Sequence, residues 1–113
     1  MKRVKYAVLG ILICGNTGMS WTTNQYISGQ TTTVSGPDLT GNDYGIVMIN
    51  NSDVTNNSGI SASSSGIFSN DSKLTNNASI VSQNRGIEAN NSAVINNTAG
   101  TITGETGFLL INS

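Results

Sequence analysis

The chain has 113 residues, of which only 10% are charged, and it contains no histidine and a single cysteine. Without histidine, Ser-His-Asp and Cys-His triads and the usual zinc sites are excluded, and with them most enzyme classes. From residue 21 onward two basic residues stand against six acidic ones. This balance argues against nucleic acid as a partner, because phosphate binding depends on clustered Lys and Arg.

Residues 1–20 have the pattern of a secretory signal peptide. The basic residues before its apolar core are Lys2, Arg3 and Lys5. The core, residues 6–13, is too short to span a bilayer, which takes roughly 20 residues. Gly18 and Ser20 supply the small side chains needed for cleavage after Ser20, and an earlier site after Thr17 is also possible. We therefore expect export.

Two other interpretations of this segment stay open. A buried N-terminal strand would use the apolar core, but the basic residues before it would gain nothing there. Lipid attachment would use Cys14, although a lipidated cysteine normally follows a small residue and here follows Ile13. If Cys14 leaves with the signal peptide, the exported chain has neither disulfides nor a cysteine metal site.

Residues 21–37 are expected to form an N-terminal cap or a leader. They are rich in Thr, Ser, Gln and Gly, and their aromatic residues are Trp21 and Tyr26. Repeat arrays need atypical end units that cover an otherwise open core, and aromatic side chains suit that task. Pro37 fixes φ and removes a backbone donor, which suits an entry point.

Residues 38–113 repeat a phrase of the form G-I-x-x-N-N/D-S-x-V/L-T/I-N-N. Its copies begin at Gly45, Gly66 and Gly86, and a fourth start stands at Gly107. Such a period indicates stacked copies of one small unit. The segment 38–42 resembles 53–57, so we interpret it as a degenerate first copy in which one segment of the coil is missing or shortened.

The predicted fold class is all-β, a parallel β-helix (β-solenoid) of about three coils of roughly 20 residues each. Short apolar segments alternate with Asn, Ser and Gly, which is typical of strands and turns, and helical periodicity is absent. Equivalent residues then stack in columns at about 4.8 Å. The expected inward columns are Ile46, Ile67, Ile87 and Phe108, and Val54, Leu74 and Val94.

The asparagines are expected to form the corners of the coil. Asn tolerates the left-handed backbone that a sharp corner requires, and stacked amides can form hydrogen-bonded ladders. The pairs at 56–57, 76–77 and 96–97 are predicted to make one corner. A second corner is predicted at Asn51, Asp71 and Asn91.

The repeated phrase behind an export signal resembles the passenger repeats of bacterial autotransporter adhesins, which are right-handed parallel β-helices of the pectin-lyase-like type. The resemblance covers residues 38–113. The chain departs from that family because it is far shorter and lacks a C-terminal outer-membrane barrel, so it resembles an N-terminal fragment. The resemblance implies a secreted or cell-surface virulence protein, outside a Gram-negative outer membrane, that meets host-cell or extracellular carbohydrate or protein surfaces.

No catalytic, cofactor-binding or metal-ligating residue is predicted, and no cofactor. Carboxylate chemistry would need two or more converging acids. The expected register places Asp38, Asp53, Lys73 and Ala93 in one column, and Asp71 among asparagines, so the repeat assembles no acid cluster. We expect Asp53 and Lys73 to form an exposed ion pair worth at most about 1 kcal/mol. Arg85 is expected to be a solvated turn residue.

Three functions remain open at this stage. The leading hypothesis is a non-enzymatic binding or structural module that presents a polar Asn/Ser/Thr face. One alternative is a fragment of a polysaccharide-cleaving enzyme, which Asp53→Ala or Asp71→Ala would inactivate. The other is a truncated open reading frame without independent function, because residues 108–111 begin a coil and then stop. An open last strand also predicts self-association through the C-terminal coil.

Overall fold

The computed structural model describes residues 23–113, which form an all-β solenoid of about four turns, here called coils. The predicted signal peptide, Cys14 and Trp21 lie outside the described residues. The strands are β1 (Thr23–Ser28), β2 (Thr31–Val34), β3 (Leu39–Ile49), β4 (Asp53–Asn56), β5 (Ile60–Asn70), β6 (Lys73–Asn76), β7 (Ser79–Ser82), β8 (Arg85–Asn90), β9 (Ala93–Asn96), β10 (Thr101–Thr103) and β11 (Thr106–Ile111). The predicted fold class is confirmed.

All strand pairs in this region are parallel, and each coil contributes three segments to three faces. The first face contains β1, the second halves of β3 and β5, β8 and β11. The second face is the sheet β2-β4-β6-β9. The third face contains the first halves of β3 and β5, then β7 and β10. The long strands β3 and β5 therefore each supply two faces.

The core lies inside the coil, where every second residue of a strand points. Strand β4 shows this alternation, since Val54 and Asn56 are buried while the residues before them are half-buried. The register confirms the stacking of both predicted inward columns, but Phe108, in the last strand, is 42% exposed and does not belong to the core. A third column belongs to the third face and consists of Leu39, Ile60, Ile80 and Ile102. Full burial of such a side chain, as for Ile67 or Leu74, contributes about 1.5–3 kcal/mol.

The interpretation of residues 38–42 as a first copy of 53–57 is wrong. Val54 stacks on Thr32 of β2, whereas Leu39 stacks on Ile60 of the third face. The two segments therefore lie on different faces of the coil, and no segment of the coil is missing between them. Residues 23–34 form β1 and β2, which pair with β3 and β4 and account for the additional coil.

The glycine that opens each repeat makes room for the third inward column. A Cβ on Gly66 would lie 2.2 Å from Cγ2 of Ile80 and 2.7 Å from the carbonyl oxygen of Gly86. A Cβ on Gly86 would meet Ile102 in the same way, at 2.1 Å. The glycine of each Gly-Ile phrase therefore leaves space for an inward isoleucine of the third face, and the first and third faces can pack closely.

The second predicted corner is confirmed as left-handed, at Asn51, Asp71 and Asn91, with φ of 61°, 51° and 51°. Asn50 is left-handed as well, with φ 59°, so this corner absorbs the extra residue of the first copy. Asn112 repeats the conformation after β11. At each of these positions an Asn or Asp adopts the left-handed backbone conformation, which costs free energy for most other residue types.

The Asn pairs do not take the left-handed backbone that the sequence predicted for them. Asn56 and Asn76 end strands β4 and β6 and point inward, fully buried. Their side-chain amides donate to carbonyl oxygens two residues later, at 3.0 Å to Ser58 and 2.8 Å to Ala78. The side chain itself therefore makes the corner bonds, and the backbone stays extended.

The predicted amide ladders do form. Inside the coil, Asn56 Nδ2 donates to Asn76 Oδ1 and Asn76 Nδ2 donates to Asn96 Oδ1, both at 2.9 Å. Outside, Asn77 Nδ2 donates to Asn57 Oδ1 at 2.8 Å. Each ladder step joins residues that are 20 positions apart in sequence.

Candidate binding surfaces

The outside of the first face carries large apolar side chains, where a solvated sheet face is expected to be polar. The outward column one position after the inward isoleucines consists of Tyr26, Val47, Phe68, Glu88 and Leu109. A second column, at the edge of the first face, places Tyr44 beside the fully buried Ser65, then Arg85 and Thr106. Aromatic and charged side chains thus become neighbours on one rigid sheet.

Five residues of these columns, Tyr44, Ser65, Phe68, Arg85 and Glu88, form what we call the outer-face cluster. The rings of Tyr44 and Phe68 meet edge to face, with centroids 6.4 Å apart and an interplanar angle of 69°. Glu88 Oε1 accepts a hydrogen bond of 3.1 Å from Ser65 Oγ, and Arg85 Nη1 lies 3.6 Å from the same oxygen. Because Ser65 is fully buried, its hydroxyl holds the Glu88 carboxylate from beneath.

Burial and the neighbouring charges raise the pKa of the Tyr44 phenol. Burial raises the pKa of Tyr44 above its usual value of 10.0, and the negative charges of Glu88 and Asp43 raise it further. A hydrogen bond with Ser64 and the charge of Arg85 act in the opposite direction and are outweighed. The cluster therefore presents a neutral phenol beside the ion pair of Arg85 and Glu88.

Arg85 differs from its prediction as a turn residue, because it is the first residue of β8. Its side chain is 45% exposed, and it also lines a small depression of about 200 Å³ at the edge of the cluster. The other residues that line this depression are Asn84, Glu105 and Thr106. The cluster therefore continues into a recess with polar walls.

The corner between the first and second faces holds a larger polar depression of about 500 Å³. Its lining residues are Asn50, Asn51, Ser52, Asp53, Asp71, Ser72, Lys73 and Asn91. Asp71 accepts from Asn91 Nδ2 at 2.6 Å through one oxygen and from Asn70 Nδ2 at 3.2 Å through the other. Its carboxylate therefore acts as an acceptor within the corner stack.

A serine ladder fixes the floor of this corner depression. The backbone N–H of Ser52 donates to Ser72 Oγ, and that of Ser72 donates to Ser92 Oγ, both at 3.1 Å. Each hydroxyl donates in turn to a carbonyl oxygen at the end of the preceding strand, as from Ser72 to Asn70 at 2.9 Å. These hydroxyls are engaged in the corner and hold its shape.

The acidic residues weighed in the sequence analysis are only partly brought together. Asp53 and Lys73 are register partners, but within residues 23–113 their charged atoms do not approach within 4 Å, so the expected ion pair is wrong. Thr31, and not Asp38, occupies the next position of that column. Asp38 lies at another corner, against Gly59. In the part of the chain that the structure describes, no group of three or more metal-ligating side chains assembles.

The sequence did not predict the outer-face cluster, because the exposed surface was expected to be a polar Asn/Ser/Thr face. The available signal was the residue directly after each repeat isoleucine, which is Val47 or Phe68 where solvent exposure favours a polar residue. A second signal was Tyr44, which stands before the repeat glycine where the next copy has Ser65. Departures from the repeat thus coincide in space on the first face.

Residues 23–113 contain no helix that is long and apolar enough to cross a membrane. Comparison of the chain with protein-family models, with curated proteins and with solved structures gives no match in any of the three.

Proposed function

We propose that the chain is an exported β-solenoid, similar to the passenger of an autotransporter adhesin, that binds an extracellular carbohydrate or protein surface through its first face. The observation that carries this proposal is the outer-face cluster. It joins the ring pair of Tyr44 and Phe68 to the ion pair of Arg85 and Glu88 on the outside of the sheet. Enzymatic activity is not part of the proposal.

The scaffold suits a binding role because strands fix side chains more accurately than loops do. The cluster residues stand on three consecutive coils, at positions 44, 65 to 68, and 85 to 88, and parallel pairing fixes their spacing. Little conformational entropy remains to be lost by their backbone on binding. The described residues carry four more acidic than basic side chains, so a strongly acidic partner is disfavoured.

Adhesion is tested with the full chain coupled to beads that are incubated with epithelial monolayers and with basement-membrane matrix. We expect bead retention that falls severalfold for Phe68→Ala. The matched control is Ile95→Ala, which removes an exposed apolar side chain, 45% accessible, from the second face. Retention that is equal for Phe68→Ala and wild type would argue against the first face as the binding surface.

Export and surface location are tested separately in a Gram-negative host that expresses the full chain. We expect the exported product to lose residues 1–20 and to begin at Trp21, which mass spectrometry measures directly. Added protease should then digest the chain on intact cells. An uncleaved chain that remains in the cytoplasmic fraction would contradict this part of the proposal.

Polysaccharide cleavage is the second candidate function, because Asp53 and Asp71 line the same corner depression. Both oxygens of Asp71 already accept hydrogen bonds from asparagine amides, which weakens the case for it as a general acid or base. A sugar-release assay on polygalacturonate decides the question. Release that is abolished by Asp53→Ala or Asp71→Ala would replace the binding proposal with an enzymatic one.

A further inference from the structure

We infer that the outer-face cluster is a subsite for a neutral pyranose of an extracellular glycan. This inference rests on the proposed function and names the ligand class of the same surface. A pyranose presents an apolar face of C–H groups and a rim of hydroxyl groups, so it requires an aromatic surface beside polar groups of both hydrogen-bonding types. The cluster supplies each of these on adjacent coils.

The aromatic surface comes from Tyr44 and Phe68. In their edge-to-face arrangement, with an interplanar angle of 69°, each ring supports the other and the pair is fixed in orientation. Both side chains are half-buried, so each keeps part of its surface exposed. The negative π face of an aromatic ring attracts the weakly positive C–H groups of a sugar. Val47, next to Phe68 in the same outward column, extends the apolar floor by one coil.

The polar groups come from Glu88 and Arg85. The two contacts that hold Glu88, from Ser65 and from Arg85, both use Oε1. A carboxylate offers about four acceptor positions, so Oε2 retains the capacity to accept from sugar hydroxyl groups. The guanidinium of Arg85 carries five N–H donors, and only one of its nitrogens faces Glu88 at 3.6 Å. Adjacent hydroxyls of a pyranose can therefore meet an acceptor and a donor side by side.

Charge selects a neutral sugar over an acidic one. The charges of Arg85 and Glu88 balance each other within the cluster, and the neighbouring Asp43, which is close enough to influence Tyr44, makes the surface around the cluster negative. The depression beside Arg85 adds a further acid, Glu105. A uronic or sulfated sugar would bring a second negative charge to this surface and would be repelled. The same depression gives room for the group that follows along the glycan chain.

Isothermal titration calorimetry with the full chain tests the inference. The neutral probes are maltohexaose, cellohexaose and mannohexaose, and the anionic probes are hexagalacturonate and heparin hexasaccharide. We expect at least one neutral probe to bind, and Phe68→Ala to weaken its binding by about tenfold, as for the loss of an aromatic contact. Glu88→Gln, which keeps the shape but removes the charge, is expected to weaken binding by roughly threefold to tenfold.

Ile95→Ala is the control and is expected to leave affinity unchanged. Thermal unfolding of each variant shows that it is folded, and Phe68→Leu, which keeps apolar volume without a π face, replaces Phe68→Ala if the latter unfolds. The inference is overturned if no neutral hexasaccharide binds, if an anionic probe binds more tightly, or if affinity is unchanged in the cluster variants. Adhesion of beads without binding of any neutral probe would leave the proposed function standing and remove only the subsite. Binding of a neutral probe without bead adhesion would support the subsite and would contradict the proposed adhesion.

Discussion

Asn76 offers the sharpest test of how the repeat holds the coil together. The residue is fully buried, and its side chain takes part in four hydrogen bonds. It donates to Asn96 Oδ1 at 2.9 Å and to the carbonyl oxygen of Ala78 at 2.8 Å, and it accepts from Asn56 Nδ2 at 2.9 Å and from the backbone N–H of Ala78 at 3.5 Å. Substitution by alanine removes all four bonds in a place that water does not reach.

The expected cost follows from these bonds. The three bonds shorter than 3.0 Å contribute about 1 kcal/mol net each, and the bond of 3.5 Å adds little, so Asn76→Ala should lower the free energy of unfolding by about 3 kcal/mol. Asn77 provides a matched control, because it is the same residue type one position later, and its outward amide donates to Asn57 Oδ1 at 2.8 Å. Its side chain is only half-buried, so water replaces the lost partners and Asn77→Ala should cost less than about 1 kcal/mol.

Urea denaturation followed by circular dichroism at 218 nm measures both variants, and thermal unfolding repeats the comparison. For a domain of this size, about 3 kcal/mol corresponds to a decrease in Tm on the order of 15 °C. Equal destabilisation by the two substitutions would refute the reasoning, because it would mean that burial of the inner ladder does not set its energy. A cost below about 1 kcal/mol for Asn76→Ala would refute it as well.

Three further predictions concern the glycine column, the phenol and the last strand. Gly66→Ala should destabilise the chain by about 1–3 kcal/mol, because the added Cβ overpacks against Ile80. A Cβ on Gly107 meets no atom within 4 Å, so Gly107→Ala should be neutral or stabilising in the same urea assay. Because the folded state raises the pKa of Tyr44 above 10.0, the stability from this group is present below that pH and is lost as the pH rises through the raised value. The decrease in Tm between about pH 9 and pH 11 should therefore be larger for wild type than for Tyr44→Phe, and equal decreases would contradict the shift. Leu110 in β11 is 47% exposed at an inward position, so the chain should self-associate with rising concentration, and Leu110→Lys should shift sedimentation velocity towards the monomer.

The sequence predicted the core of the first two faces because those positions recur at a fixed spacing. Ile46 and Ile67 follow a glycine in every copy, and Val54 and Leu74 precede the Asn pairs, so their stacking could be read directly. The left-handed corner at Asn51 and its equivalents was predictable for the same reason, since few residue types adopt that conformation.

The remaining features depend on information that a repeat alignment does not contain. The sequence-based prediction placed the first coil wrongly because residues 38–42 resemble residues 53–57. The first-coil strand that pairs with β4 is instead the threonine-rich β2, which shares little with the repeat. Asn56 was assigned a left-handed backbone because residue type alone does not show whether an amide or the backbone closes a turn. The outer-face cluster could be recognised only from the register of three coils, because Tyr44 and Glu88 lie 44 positions apart in the chain and the sheet brings both beside Ser65 and Phe68.

The repeated spacing builds the coil, and we propose that the departures from the repeat on the first face bind the ligand. Amide chemical-shift mapping locates the bound ligand, with the ¹⁵N-labelled full chain titrated with the neutral hexasaccharide that binds most tightly. We expect the largest shifts at residues 43–47, 64–68 and 85–88. Largest shifts at the corner residues 50–53 and 71–73, or on the second face, would contradict the proposal.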